Sequence, residues 1–442
     1  MAVDLIDVTP ITGALTGAHL VPQVGAITGC HGATIEADGP DASIGEMCEI
    51  FGLNTHQPIK AEVVGFRDKT TILMPYGAVQ GIRPGSEVMA TGLFPHVPVG
   101  PALLGRVIDA MGGPLDGKGP IPAESLQPLQ APPPNPVERE RIRDVFGTGV
   151  RVIDLCATVG VGQRMGLFAG SGVGKSTLMG MIAASSTSEV SVVALIGERG
   201  REVRDFIEEH LGAALERSVV IVATADQTAL VRRQAALAAM SISEYFRDQG
   251  RTVLLLLDSI TRLAMAQREI GLAAGEPPTS RGYTPSVFSS FPSLLERAGR
   301  GRVGVGSITA IVTVLVEGDD LNEPVSDHAR ATLDGHIVLS RELANQGRFP
   351  AVDPLKSSSR LLRTLSSDTE YRAIERCREI LSLYDESKDM VNFGFYKKGA
   401  NAELDAAIRI APKLWKHFRQ DVSQAEDRSR QMSRLRSILE LS

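Results

Sequence analysis

Between residues 150 and 360 the chain alternates short, almost wholly apolar runs with longer amphipathic stretches. The runs are RMGLFA, VSVVALIG, SVVIVATA, TVLLLLD, SITAIVTVLV and GHIVLS. Apolar runs of strand length, separated by helix-like segments, predict a parallel sheet covered by helices on both faces. Upstream, IKAEVVGFRDKTTILMPYG reads as strands joined by turns and predicts a small β-barrel. GRVIDAMGGPLDGKGPIP and LQPLQAPPPNPVERERI follow it. Proline at that density forms neither helix interior nor central strand, so a connector is expected there. Past residue 361, YRAIERCREILSLY and DRSRQMSRLRSILELS place apolar residues at helical spacing among charges. The expected division is a barrel over 1–95, a Pro/Gly-rich connector over 96–150, an α/β core over 151–360 and a helical region over 361–442.

A chain of 442 residues suffices for such a set of domains. Its 43% apolar and 22% charged content is that of an ordinary globular protein. The net charge of −6 argues against nucleic acid as the main partner. No apolar run approaches the ~20 residues of a membrane span. The N-terminal stretch carries Asp4 and Asp7 rather than the basic start of a signal peptide, which predicts a cytoplasmic protein. Cys30, Cys48, Cys156 and Cys377 are scattered without metal-ligand spacing and are expected to be free thiols.

The chemistry is concentrated in three places. In LFAGSGVGKSTLMGMIA, residues Gly170, Ser171, Gly172, Val173, Gly174, Lys175, Ser176 and Thr177 join a strand to a helix. Glycines let the backbone wrap an anion, and the amides and the helix N-terminus then face it. Lys175 supplies charge for the β- and γ-phosphates of ATP, and Ser176 a hydroxyl for Mg²⁺. The usual pattern has glycine at the first loop position, where this chain has Ala169. Glu198 and Asp258 each sit at the carboxyl end of an apolar run, the edge where parallel sheets bind ligands. Asp258 suits a Walker B contact to Mg²⁺, and Glu198 suits the group that activates water. An ion pair of Glu198 with Arg199 or Arg201 is the competing reading, and Arg199 itself is open between phosphate contact and structure.

AGSGVGKST, GERGREV, LLLLDSITR, GEPPTSRGYTPSVFSSFPSLLERAG, the long block ending in FPAVDPLKSSSR, and GANAELDAAI together resemble the flagellum-specific export ATPases. These belong with the type III secretion ATPases, which are similar to rotary ATP synthase catalytic subunits. The resemblance implies a RecA-like P-loop ATPase core between an N-terminal barrel and a C-terminal helical domain. It also implies that Phe349 stacks on adenine and that Arg360 is an arginine finger. In the rotary synthases the finger and the catalytic carboxylate lie chiefly on different subunits. A chain with both Glu198 and Arg360 is therefore expected to form a homohexamer with sites at its interfaces. Further partners implied are a regulator or stator protein, export chaperones and their substrates, and an export gate that the protein meets peripherally at the inner membrane. Leu5, Ile6, Val8, Ile11 and Leu15 are the candidate regulator-binding face, interrupted by Pro10.

Three functions compete. Type III export, flagellar or injectisome, is the first. The second, a synthase catalytic subunit, usually carries an acidic lever run where this chain reads FGFYKKGANAELD, with Lys397 and Lys398. The third, an RNA translocase, needs exposed stacking aromatics on the barrel, where Phe66 and Tyr76 make a thin platform.

Overall fold

The computed structural model describes residues 23–52, 57–316, 318 and 320–440. The candidate regulator-binding face at the N-terminus lies outside them. The described residues divide into two compact units, the first ending at Pro95 and taking in Glu269–Glu276, the second made of the rest.

The first unit is a closed antiparallel barrel of β1 (Val24–His31), β2 (Thr34–Asp38), β3 (Met47–Phe51), β4 (Ile59–Arg67), β5 (Thr70–Pro75) and β6 (Glu87–Ala90). The strand order is β1-β2-β5-β4-β3-β6, and β6 closes on β1. Ile35, Ile50, Val63, Leu73 and Val88 fill its interior. Register shifts at Ile27/Gly29 and Val63/Gly65 bend β1 and β4, as closure of so small a sheet requires. Phe66 is exposed, while the Tyr76 hydroxyl donates to Glu62.

The second unit is built on one large sheet. The strands along its main path are β7 (Arg106–Ile108), β8 (Arg164–Ala169), β9 (Val190–Ile196), β10 (Ser218–Ala223), β11 (Thr252–Asp258), β12 (Ser307–Leu315), β13 (Gly335–Val338) and β14 (Ser358–Ser359), and the short strand Gly299–Arg300 pairs with β12 off that path. The order is β14-β13-β8-β12-β11-β9-β10-β7. All these pairs are parallel except β13 with β14. Every apolar run picked out in the sequence is one of these strands. Alternate residues enter different cores: Val193, Leu195, Leu254 and Leu256 go to one, Val192, Ala194, Leu255 and Leu257 to the other. Such a strand must be apolar at consecutive positions, because neither face meets water.

The stretch expected to be a connector is more than that. β7 lies within it and extends the sheet edge beside β10. Its bond to Asp116, through Arg106 Nε at 2.7 Å and the Val107 amide at 3.1 Å, secures a strand too short to carry a pattern.

Helices α1 (Lys175–Ser185), α2 (Ala229–Asp248) and α3 (Ile260–Ala273) follow β8, β10 and β11. At the end of the chain come α4 (Asp368–Asn392), α5 (Ala402–Phe418) and α6 (Arg428–Ile438). Each of the last three begins at a capping side chain: Ser367 in a capping box with Glu370, then Asn401, then Asp427. Ala373, Ile374, Cys377, Ile380 and Leu381 form the buried stripe of α4 and join the same core as the sheet. No helix among the described residues is long and apolar enough to cross a membrane.

Candidate active site

The turn after β8 is held open by two left-handed glycines, Gly172 at φ +75° and Gly174 at φ +92°. A side chain at either position would be strained, which is why the loop can expose its backbone so closely. Gly170 and Val173 are buried and anchor the loop, and Ser171 and Gly172 are exposed at its crest. Arg341 Nη1 donates to the Ser171 carbonyl at 3.1 Å and braces the crest from outside. Lys175, Ser176 and Thr177 open α1, so their amides lie at the positive end of its dipole.

The two carboxylates converge on this loop. Lys175 Nζ donates to Asp258 Oδ1 and reaches Glu198 Oε1 at 3.4 Å. Asp258 ends β11, and Glu198 follows β9, the adjacent strand. The side chains of Lys175, Glu198 and Asp258 are only 12, 11 and 4% exposed. Carboxylates so far from water need cations beside them. The second cation is Arg262 of α3, whose Nε lies 3.4 Å from Glu198 Oε1. Gly197, at φ +69°, makes this approach possible: a Cβ there would stand 2.6 Å from Arg262 Cδ. Thr313 on β12, fully buried, donates its hydroxyl to Asp258 Oδ1 at 2.6 Å.

Arg262 and Thr313 were not legible beforehand. Arg262 lies four residues past Asp258 on a helix, and Thr313 sits inside an apolar run; only strand order and helix direction bring them to the carboxylates.

The other candidates fall in different places. The Phe349 ring lies 3.9 Å from where a Cβ on Gly174 would stand, and the residue is 48% exposed. It borders the phosphate loop with an open face. Arg199 is not brought into the cluster: its side chain is 76% exposed and pairs with Glu202 at 3.6 Å. Arg360 is exposed, and its side chain forms no hydrogen bond or ion pair among the described residues. Its amide donates to Asp334 O, and the Asp334 amide donates to Arg164 O, so Arg360 is level with the start of β8. The phosphate loop begins past the other end. Six residues from Arg164 to Gly170, at ~3.3 Å each, put ~20 Å between them. Arg360 cannot serve its own chain's phosphate loop.

Ser176, in the first turn of α1, offers a hydroxyl suited to a metal, and Asp258 a buried carboxylate. Among the described residues there is no closed cage of three or more His, Cys, Asp or Glu ligands. That donor set fits Mg²⁺, which keeps several waters and takes one or two protein ligands plus phosphate oxygens.

Comparison with known proteins gives the family. Residues 149–359 match the nucleotide-binding domain of the ATP synthase alpha/beta family. Residues 27–92 match the beta-barrel domain of that family, and 366–437 match the T3SS EscN ATPase C-terminal domain. The flagellum-specific ATP synthase of Bacillus subtilis is 54% identical over 393 residues, covering 88% of this chain and 89% of that protein. The type 3 secretion system ATPase of Sinorhizobium fredii is 47% identical, covering 93% and 92%. The structure of the assembled ATPase EscN from enteropathogenic E. coli superposes with a TM-score of 0.89 at 41% identity, over 94% of this chain and 100% of that one. The likeness runs along nearly the full length of the chain that carries this phosphate loop, and the chain belongs to the family of flagellum-specific and type III secretion ATPases within the ATP synthase alpha/beta family.

Proposed function

We propose that this chain hydrolyses ATP in a ring of six identical copies and energises type III protein export, of flagellar components in the first instance. The observation that carries the ring is the place of Arg360. A free guanidinium ~20 Å from its own phosphate loop has work only on another copy. That the EscN relative is described as assembled supports the same reading.

The roles follow from position. The loop amides and Lys175 bind the β- and γ-phosphates. Ser176 and Asp258 hold Mg²⁺, which when bound neutralises charge on the phosphates. Glu198, withdrawn from water and steadied by Arg262, orients the attacking water and accepts its proton. Phe349 offers its open face to adenine. Arg360 of the adjacent copy stabilises the charge that develops on the transferred phosphoryl group. Arg199, directed outward, is assigned to the ring interface rather than to its own chain's phosphate. Lys175 neutralises Asp258 in this structure; a bound phosphate would compete for that ammonium, and Asp258 would then be open to hold a metal.

We retain the domain scheme of 1–95, 96–150, 151–360 and 361–442, with the second segment counted as part of the core because it supplies β7. Export chaperones, their substrates and a membrane gate met peripherally are the partners this function requires. A stalk or regulator protein is a further partner; a relative has been solved in complex with its central stalk. Lys397 and Lys398, exposed at the tip between α4 and α5, suit an acidic partner there.

Two experiments test the reading. Lys175→Ala and Arg360→Ala chains, each inactive alone, are expected to regain activity when mixed. No recovery in rings shown by native mass spectrometry to be mixed overturns the shared site. For the cellular role, a deletion strain is complemented with wild type or Glu198→Gln. Restoration of flagellin secretion and swimming by wild type alone supports flagellar export. Normal flagella in the deletion strain move the protein to an injectisome, the machine named for the S. fredii relative.

A further inference from the structure

Arg360 combines two properties that rarely coincide. Its side chain is exposed and unpaired among the described residues, yet its amide is bonded to the Asp334 carbonyl and it directly follows a paired strand. β14, which delivers it, is only two residues long and pairs with β13 through Gly335↔Ser359 and His336↔Ser358. A pairing so short is weak alone. What secures it is Gln163, the residue immediately before β8.

Gln163 is fully buried. Its Oε1 accepts from the Gly160 amide at 2.8 Å. Its Nε2 donates to the Asp334 carbonyl at 3.2 Å and to Ser359 Oγ at 3.0 Å. The same Asp334 carbonyl accepts the Arg360 amide at 3.0 Å. Asp334 is in turn fixed by Arg164, whose Nε and Nη2 grip its two carboxylate oxygens at 3.0 Å each. A buried amide with both ends bonded is costly to displace, because each freed group would lack water as a substitute.

Resting on the reading of Arg360 given above, we propose that Gln163 is the positioning residue for the finger. It ties β14 to the root of β8, so one strand carries a chain's own phosphate loop at one end and, at the other, the mount of the finger that the chain lends to its neighbour. Gln163 touches no substrate; it acts through Ser359, Asp334 and the Arg360 backbone.

The test is complementation between variants in the full-length ring. Gln163→Met keeps the volume and removes both donors to the finger mount. Loosening a reacting group by about 1 Å can cost about 100-fold, so kcat is expected to fall 10- to 100-fold with KM for ATP unchanged. Mixed with Lys175→Ala chains, which bring an intact finger, Gln163→Met is expected to recover activity. Mixed with Arg360→Ala chains it is not, because no intact finger is then present. A merely structural defect would be rescued by neither. Unchanged kcat, rescue by neither partner, or rescue by Arg360→Ala overturns the proposal. Should Gln163→Met fail to form rings, Ser359→Ala decides, since it leaves Gln163 bonded to Gly160 and Asp334. It is expected to lower kcat about fivefold, the worth of one neutral hydrogen bond, with the same complementation pattern. An unaltered kcat there sinks the idea. The Lys175→Ala with Arg360→Ala mixture is the control. If that pair fails in mixed rings, the shared site itself falls; if it succeeds while Gln163→Met does not sort with Arg360, only the clamp falls.

Discussion

At the scale of single residues, the site is a balance of two carboxylates against two cations in a place with little water. Glu198 and Asp258 share Lys175 as a cation, and Glu198 has Arg262 as well. Glu198→Gln keeps the shape and removes the base. It is expected to lower kcat by about 10²–10⁴ while ATP still binds, which a fluorescent-nucleotide titration checks. Thr313→Val keeps the volume but removes a hydroxyl donor from Asp258. The carboxylate then loses the bond that fixes its rotamer, and the Mg²⁺ concentration for half-maximal rate is expected to rise several-fold, with Thr313→Ser restoring it. Phe349→Ala removes the proposed stacking surface, worth about 1–3 kcal/mol for a base, so KM for ATP is expected to rise about 5- to 150-fold. Phe349→Tyr should stay near wild type; equal damage from both would place the ring outside the base site.

At the scale of elements, α6 is fastened to the core through a buried acid. Asp154 lies wholly inside and accepts from the Thr148 amide at 2.9 Å, Thr148 Oγ1 at 2.7 Å, the Gly149 amide at 3.1 Å and Gln431 Nε2 of α6 at 3.4 Å. Burial pushes its carboxyl up from 3.8 to about 6, and those donors pull the other way. The folded chain therefore holds this proton more tightly than the unfolded one. The stabilising effect of the proton is complete below about pH 4 and is lost as pH rises through about 6. That amounts to about 3 kcal/mol. The difference in unfolding free energy between wild type and Asp154→Asn should fall by about that much from pH 4 to 6 and stay level above; a difference that is flat or grows would show that the donors win.

The elements also show what a sequence can carry. The strands of the core were legible because a sheet buried on both faces must be apolar at every position. Lys175 was legible as a candidate from the glycine-rich loop, and Glu198 and Asp258 because the carboxyl edge of such a sheet is where its ligands bind. β7 was not, since three residues among glycines and prolines show no period and owe their place to Asp116. Nor were Arg262, Thr313 and Gln163, which reach their partners only through strand order and register.

At the scale of the whole molecule, the shared site proposed above makes a solitary chain a poor enzyme. Under the roles proposed for its residues it has a phosphate loop, a base and a metal-binding pair, but Arg360 is level with the start of β8, ~20 Å from that loop. An arginine finger contributes about 10³–10⁵ in rate. Specific activity should therefore depend on concentration. Wild type diluted below its assembly threshold is expected to lose about 10³-fold or more per chain, following the ring fraction seen by mass photometry. Arg360→Ala should be low at every concentration, with no such rise, because assembly brings it nothing. Its nucleotide binding as a monomer should match wild type, since Lys175 and Phe349 are its own. Activity per chain that stays constant while rings come apart would mean that each copy completes its own site. The ~20 Å between Arg360 and its loop would then have to close by a rearrangement of β13 and β14, for which the Gln163 and Arg164 bonds leave no room.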